Sequence, residues 1–315
     1  MSASAADRRI RSSRPAKPFV DPFRAHGSLI EEERRPDGTI ERTLTVFLAG
    51  AECPFTCSFC DLWRYTIDGP TPAGALPKQL SDVLSTIGRA FPHRLKLYTA
   101  SNFFDRRAVP PDDLDALAEL AQPFDAVTVE SHASTIGDAT ADFARRLRGT
   151  LEVAVGLETI HPAAMARLNK RLDLERFGRA ARFLADGAID LRVFALLGAP
   201  HVPANESVDW TARTVEHAVA CGAAVVSIIP VRGGNGEMER LAELGEFTAP
   251  ALRDLEDALD RCVNESGPVV TADLWDAERL PACAQCRAER IDRLRRINVT
   301  GRAEPRVVCT QCDGS

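Results

Sequence analysis

No apolar run in this 315-residue chain approaches the length of a membrane span, and the first twenty residues lack the apolar core of a signal peptide. The expectation is a cytoplasmic protein with no membrane partner. No internal repeat is present, since the recurrence of Asp61-Leu62-Trp63 as Asp273-Leu274-Trp275 is too short to mark one. No second large domain is evident either. With 45% hydrophobic and 27% charged residues, the composition is that of a soluble globular protein. A single α/β barrel of this length is ordinary and buries a large core.

Charge is uneven. The net charge is −6, but residues 1–18 carry +4 and residues 287–306 carry another +4. Asp313 adds −1, which leaves −13 for the body. So acidic a body argues against a protein that coats itself in nucleic acid, although a basic end can still meet a phosphate backbone.

Nine cysteines are many for a chain without a secretion signal, and their clustering favours metal over disulfides. Cys53, Cys57 and Cys60 stand at the spacing C-x3-C-x2-C, directly after the apolar run Leu44–Leu48. Three thiolates on one loop hold three irons of a four-iron cluster and leave one iron open to a non-protein ligand. The alternatives are part of a zinc site, which normally wants a fourth ligand, or inert core thiols. The nearest histidine downstream is His93. Cys283, Cys286, Cys309 and Cys312 form two C-x2-C pairs, the pattern of a tetrahedral structural zinc. An auxiliary iron–sulfur cluster uses the same ligands. The arginines between these pairs suit either RNA phosphates or a solvated helical face. Cys221 and Cys262 stand alone and read as small buried apolar residues.

Short apolar runs alternate with helical patterns. The expected strands are Thr43–Leu48, Arg94–Thr99, Ala126–Glu130, Leu151–Gly156, Leu191–Leu197 and Ala224–Ile229. The expected helices are Pro77–Ala90, Pro111–Leu120, Ala139–Leu147, Pro162–Asp186 with a break near Asn169, Asn205–Cys221 and Pro250–Glu265. Six such units predict a parallel sheet in an α/β fold, a partial (β/α)6 barrel open on one side. Residues 1–40 read as a mobile arm with at most a short strand or helix, 41–268 as the barrel, and 269–315 as a small metal-binding extension. Chemistry in such folds gathers at the C-terminal strand ends. Here those ends carry the cysteine loop, Tyr98–Asn102, Glu130–His132, Gly156–Thr159 and Pro230–Gly234.

With Phe59 before its last cysteine, the cysteine loop resembles that of the radical S-adenosylmethionine (SAM) superfamily. The succession Tyr98–Asp105, Val127–Ser131, Glu152–Thr159 and Leu168-Asn169-Lys170 resembles the Elongator-catalytic-subunit branch. Within that branch it looks most like the radical SAM subunit of archaeosine synthase. The resemblance implies a radical SAM partial barrel whose 4Fe-4S cluster is ligated by Cys53, Cys57 and Cys60. The open iron would chelate SAM, and an electron donor would drive its cleavage to methionine and a 5′-deoxyadenosyl radical. Ser101 and Asn102 lie where the family holds the SAM amino group, in place of the Gly-Gly-Glu of many members. Glu158 lies where the ribose is met, and Glu130 borders that pocket. Phe59, Ile229 and Pro230 would line the adenine, and Lys170 is a candidate for the SAM carboxylate. The expected substrate is a tRNA base, by analogy with archaeosine synthase, or else a small molecule or natural product. A metal-binding RNA adaptor without catalysis is the reading from another class.

Overall fold

Along the strands, residues alternate between two faces, and that alternation builds the molecule. In Ile40–Phe47, Leu44 and Val46 are buried on one face while Thr43, Thr45 and Phe47 take the other. In Thr150–Glu158, Leu151, Val153, Val155 and Leu157 alternate with Glu152, Ala154 and Gly156. The apolar face joins one large hydrophobic core with the helices, and the polar face becomes the concave interior of a curled sheet.

The computed structural model describes residues 4–88 and 91–312. Its elements run α1 (Ala5–Ser13), β1 (Gly27–Arg34), β2 (Ile40–Phe47), α2 (Ala75–Ser85), β3 (Arg94–Tyr98), α3 (Pro111–Leu120) and β4 (Ala126–Glu130). There follow α4 (Asp138–Arg146), β5 (Thr150–Glu158), α5 (Pro162–Arg167), α6 (Leu174–Asp186), β6 (Asp190–Leu197), α7 (Ser207–Ala220) and β7 (Ala223–Pro230). The chain ends with α8 (Glu237–Glu243), α9 (Leu252–Cys262), β8 (Val269–Ala272) and α10 (Arg287–Thr300). One eight-stranded sheet has the order β1 to β8; β1 is antiparallel to β2 and every later pair is parallel. This is the expected α/β partial barrel, six parallel units from β2 to β7, with one further strand on each side.

Helix by helix, the expected pattern holds, with the break at Asn169, whose φ is 55°. Helix α2 stops at Ser85, short of the expected Ala90, which itself lies outside the described residues. Residues 1–40 hold both a helix and a strand. Ile10 is buried, and β1 pairs along its whole length with β2. The sheet thus extends past 41–268 at both ends. Helix α10 lies against both edge strands, β1 and β8, across the side that the barrel leaves open. It ends at Gly301 (φ 67°), where a β-carbon would run into the Arg34 guanidinium at the end of β1. No helix among the described residues is long and apolar enough to cross a membrane.

The concave face is layered. At its floor Glu152, fully buried, accepts from Arg192 (2.8 Å) and Thr128 (2.9 Å) and pairs with Arg35 (3.3 Å) and Arg94 (3.8 Å). Burial opposes ionisation of Glu152, but the three guanidinium groups outweigh it and hold the carboxyl well below its usual range. Glu33 adds a second carboxylate beside Lys96 and Arg192. Above the floor, Phe47 meets Tyr98 and Trp275 at ring-centroid distances of 6.4 and 5.8 Å, and Tyr98 meets Phe194 at 6.4 Å. The strand ends lie above these rings.

Candidate active site

Cys53, Cys57 and Cys60 sit on the loop that leaves β2, and four separate parts of the chain fix that loop. From α1, the buried Asp7 carboxylate accepts hydrogen bonds from the Thr56 hydroxyl, Asn169 Nδ2 (3.0 Å) and Arg171 (2.6 Å). These donors hold Asp7 well below the usual carboxylate range. From the α5–α6 connection, Asn169 also donates to the Thr56 carbonyl (2.9 Å), and the Leu168 carbonyl accepts from Ser58 N (2.9 Å). From the β7–α8 loop, Asn235 donates to the carbonyls of Ser58 (2.8 Å) and Cys60 (3.2 Å). From the β3 end, Asn102 Nδ2 lies 3.3 Å from the Cys53 sulfur, and its Oδ1 accepts from His132 N (2.8 Å). Of these partners, the sequence reading singles out Asn102 as a site residue and Asn169 within the Leu168-Asn169-Lys170 motif; Asp7 and Asn235 carry no local signal.

The remaining expected residues come together beside this loop. Lys170 forms a 2.6 Å ion pair with Glu158, and its Nζ lies 6.0 Å from the Phe59 ring centroid. Lys170 stands in the α5–α6 connection, half-buried, and not on an exposed helical face. Burial works against its charge, but Glu158 and the nearby thiols raise its pKa above the usual lysine value. Glu158 has φ 70° at a bulge in β5, an unusual backbone for a non-glycine residue. A β-carbon on Gly156 would overlap the Glu158 carboxylate and come within 2.6 Å of Lys170 Nζ, so a side chain there would displace the pair. Glu130 accepts from Thr99 N at 2.8 Å, and burial pushes its pKa up to about 7 against the help of the Thr99, Ala100 and Ser101 N–H groups. His132 stacks on Phe55 at 4.1 Å; burial and the charge of Lys170 lower its pKa to about 3, so it is neutral at pH 7. Ile229 and Pro230 end β7, and Ile229 and Phe59 both pack against a second small core that includes Val231 and Met238.

Do these residues suit a metal cluster and SAM? Burial raises all three thiols of the loop, Cys57 to about 12, so each needs a positive partner in order to ionise. Their sulfurs are not all gathered within 4.8 Å, the spacing at which a group of side chains surrounds one ion. A centre of several metals spreads its thiolates wider than one ion does. The Ser101 and Thr99 hydroxyls at the β3 end are buried and have no hydrogen-bond partner, which suits an absent polar ligand. The donor set fits both groups.

The C-terminal site differs. Among the described residues, Cys283, Cys286, Cys309 and Cys312 are the group with ligand atoms all within 4.8 Å of one another. The Cys286 and Cys312 sulfurs are 3.8 Å apart. Metal–sulfur bonds of about 2.3 Å in a tetrahedron give the same spacing. The backbone N–H groups of Gln285 and Cys286 lower the Cys283 thiol to about 7. These four cysteines could hold one metal ion.

No protein-family model matches the chain, and no curated protein matches it. Solved structures do. The archaeal Methanocaldococcus infernus Elp3, with residues 1–46 deleted, superposes with a TM-score of 0.51 at 13% identity, over 75% of this chain and 60% of that one. A radical SAM methyltransferase from Sphaerobacter thermophilus gives 0.50 at 15% identity, over 86% of this chain and 82% of its own. This chain therefore spans under two thirds of the Elp3 chain. At such identities the likeness shows the fold: this is the partial barrel found in radical SAM enzymes.

Proposed function

We propose that this chain is a radical SAM enzyme, with Cys53, Cys57 and Cys60 holding a 4Fe-4S cluster. The observation that carries the reading is a three-thiol loop anchored from four directions at the C-terminal mouth of this barrel. When bound and reduced, the cluster supplies the electron that splits SAM into methionine and a 5′-deoxyadenosyl radical. The chain's own residues bind and orient. Asn102 donates toward Cys53, Ser101 offers its free hydroxyl to the SAM amino group, and Glu158 takes the ribose. Lys170, charged at neutral pH, turns from Glu158 to the SAM carboxylate, while Phe59, Ile229 and Pro230 line the adenine and Glu130 borders the pocket. The four C-terminal thiols hold zinc, given the single-ion spacing of their sulfurs. Nine free thiols suit the reducing cytoplasm.

The substrate reading has two branches. The resemblance to archaeosine synthase points to a tRNA base. Charge pairing favours a small molecule: of the seven arginines between Arg287 and Arg306, six are paired with carboxylates, from Arg290 with Glu256 to Arg306 with Asp257. Arginines already paired are poor phosphate ligands, which also weakens the RNA-adaptor reading. The test is anaerobic reconstitution followed by reduction with SAM, measuring 5′-deoxyadenosine. Release that persists in Cys53→Ala, Cys57→Ala and Cys60→Ala overturns the proposal. Mass spectrometry of nucleosides after incubation with bulk tRNA separates the substrate branches.

A further inference from the structure

Between the charged floor and the strand ends, the concave face is not filled. Phe47, Tyr98, Phe194, Ser227 and Thr271 are each partly exposed, while neighbours on the same strands, such as Val46, Val193, Ile228 and Val270, are buried in the main core. Alternation therefore turns all five into the barrel, and their exposure means that the space they face is open. Pairing register sets them at one level: Phe47 opposite Tyr98, and Phe194 between Gly156 and Ser227, with Thr271 beyond. A packed barrel interior fills such a layer with bulky side chains. Here glycine, serine and threonine share the row with the rings and leave a hollow. Trp275, 57% exposed, stands at the end of β8 with its ring centroid 5.8 Å from that of Phe47, on the side that the sheet leaves open.

The lining is aromatic, and the charges around it are matched. Arg232 at the rim pairs with Asp273 (2.9 Å) and Asp276 (3.7 Å), Glu130 accepts from Thr99 N (2.8 Å), and the floor is held in the ion pairs around Glu152. Thr271 donates to Ser227 at 3.2 Å, so the Ser227 hydroxyl has its own proton to give. We infer that the hollow holds an uncharged planar ring of a small-molecule substrate, its faces against the aromatic side chains and one edge acceptor on Ser227. Aromatic side chains reward a flat partner, and an ion would find no free counter-charge here. The inference rests on the proposed function and names its substrate class. None of the six side chains is among those assigned to SAM, yet the layer adjoins them. Phe194 pairs with Gly156, against which the Glu158–Lys170 pair lies, and Ser227 is two residues before Ile229.

The test uses the reconstituted holoenzyme with saturating SAM and three probes of equal heavy-atom count: benzamide, cyclohexanecarboxamide and benzoate. Ligand-observed NMR titration gives each dissociation constant. Benzamide should bind in the millimolar range, and both the puckered cyclohexane and the charged benzoate at least about fivefold more weakly. Trp275→Ala, at an exposed position, should weaken benzamide about fivefold, and Phe194→Leu should do likewise. Ser227→Ala should give a smaller loss, and Trp210→Ala on the outer helix α7 should give none. SAM affinity, from equilibrium dialysis, should be unchanged in Trp275→Ala. No benzamide binding, equal benzamide affinity in wild type, Trp275→Ala and Phe194→Leu, or equal affinity for all three probes overturns the ring inference. A wild-type chain that binds benzamide in the expected pattern but never releases 5′-deoxyadenosine from SAM would instead overturn the functional reading beneath it.

Discussion

Replacing Asp7 should unpin the cysteine loop without unfolding the barrel. Its buried carboxylate accepts from Thr56, Asn169, Arg171 and Ser4 N (2.8 Å), tying α1 to the loop residue between Cys53 and Cys57. Hydrogen bonds to a charged group are worth about 1.5–3 kcal/mol each. Arg171 and Ser4 recover water when the carboxylate leaves, and Asn169 keeps the Thr56 carbonyl, so about 3 kcal/mol is the net expectation for Asp7→Ala. That is about a hundredfold in the local opening equilibrium, where each 1.4 kcal/mol is tenfold. Hydrogen–deuterium exchange should therefore rise about a hundredfold at Cys57 and Ser58 and leave β3 to β6 unchanged. The sign with pH follows from the depressed pKa. The contribution is complete above 3.8, the unperturbed value, and is lost as pH falls below it. Asp7→Ala removes that acid dependence. Wild-type exchange at Cys57 and Ser58 in Asp7→Ala would refute the clamp.

Other perturbations reach other layers. Glu152→Ala leaves three buried guanidinium groups without their shared carboxylate and should cost about 3–5 kcal/mol, read as a fall in denaturation midpoint. Glu130, with its pKa near 7 when folded and 4.5 otherwise, is ionised only in the unfolded chain between those values. Stability should thus fall by about 3 kcal/mol as pH rises through that window, and urea titrations of Glu130→Gln should show a flatter profile. Gly156→Ala should push the Glu158 carboxylate and the Lys170 ammonium out of the positions proposed to meet SAM and so weaken its binding to the holoenzyme, measured by equilibrium dialysis. Cys283→Ser or Cys309→Ser should remove about one zinc per chain and speed proteolysis beyond Asp273, and iron with sulfide at those cysteines would refute a single-ion site.

The six central strands were legible because burial on one face leaves a period-two signature that local sequence displays. Strand β1 was not, since Glu31-Glu32-Glu33-Arg34 reads as a solvated run; Glu31 and Glu33 face Lys96 and Arg192 across the barrel floor, and those partners are far away in sequence. Strand β8 has four residues, too few to show a period. The cysteine loop was legible because its three cysteines are adjacent in sequence. Its anchors were not: Asp7 is 49 residues from Thr56, and Asn235 is 177 residues from Ser58. Lys170 looks in sequence like any helical lysine. What separates it is the left-handed turn at Asn169 and Arg171, which ends α5 and turns Lys170 toward Glu158.

An open sheet has two raw edges, each able to recruit a strand from a neighbouring molecule. Here one helix guards both. Asn298 of α10 copies the missing strand at β8, accepting from Ala272 N and donating to Ala272 O, each at 2.8 Å, while the same helix lies along β1. The thiols that precede and follow α10 therefore set more than local fold. If a metal held by these thiols is lost and the helix lifts, both edges are bared at once, and the expected first symptom of that loss is self-association of otherwise folded chains.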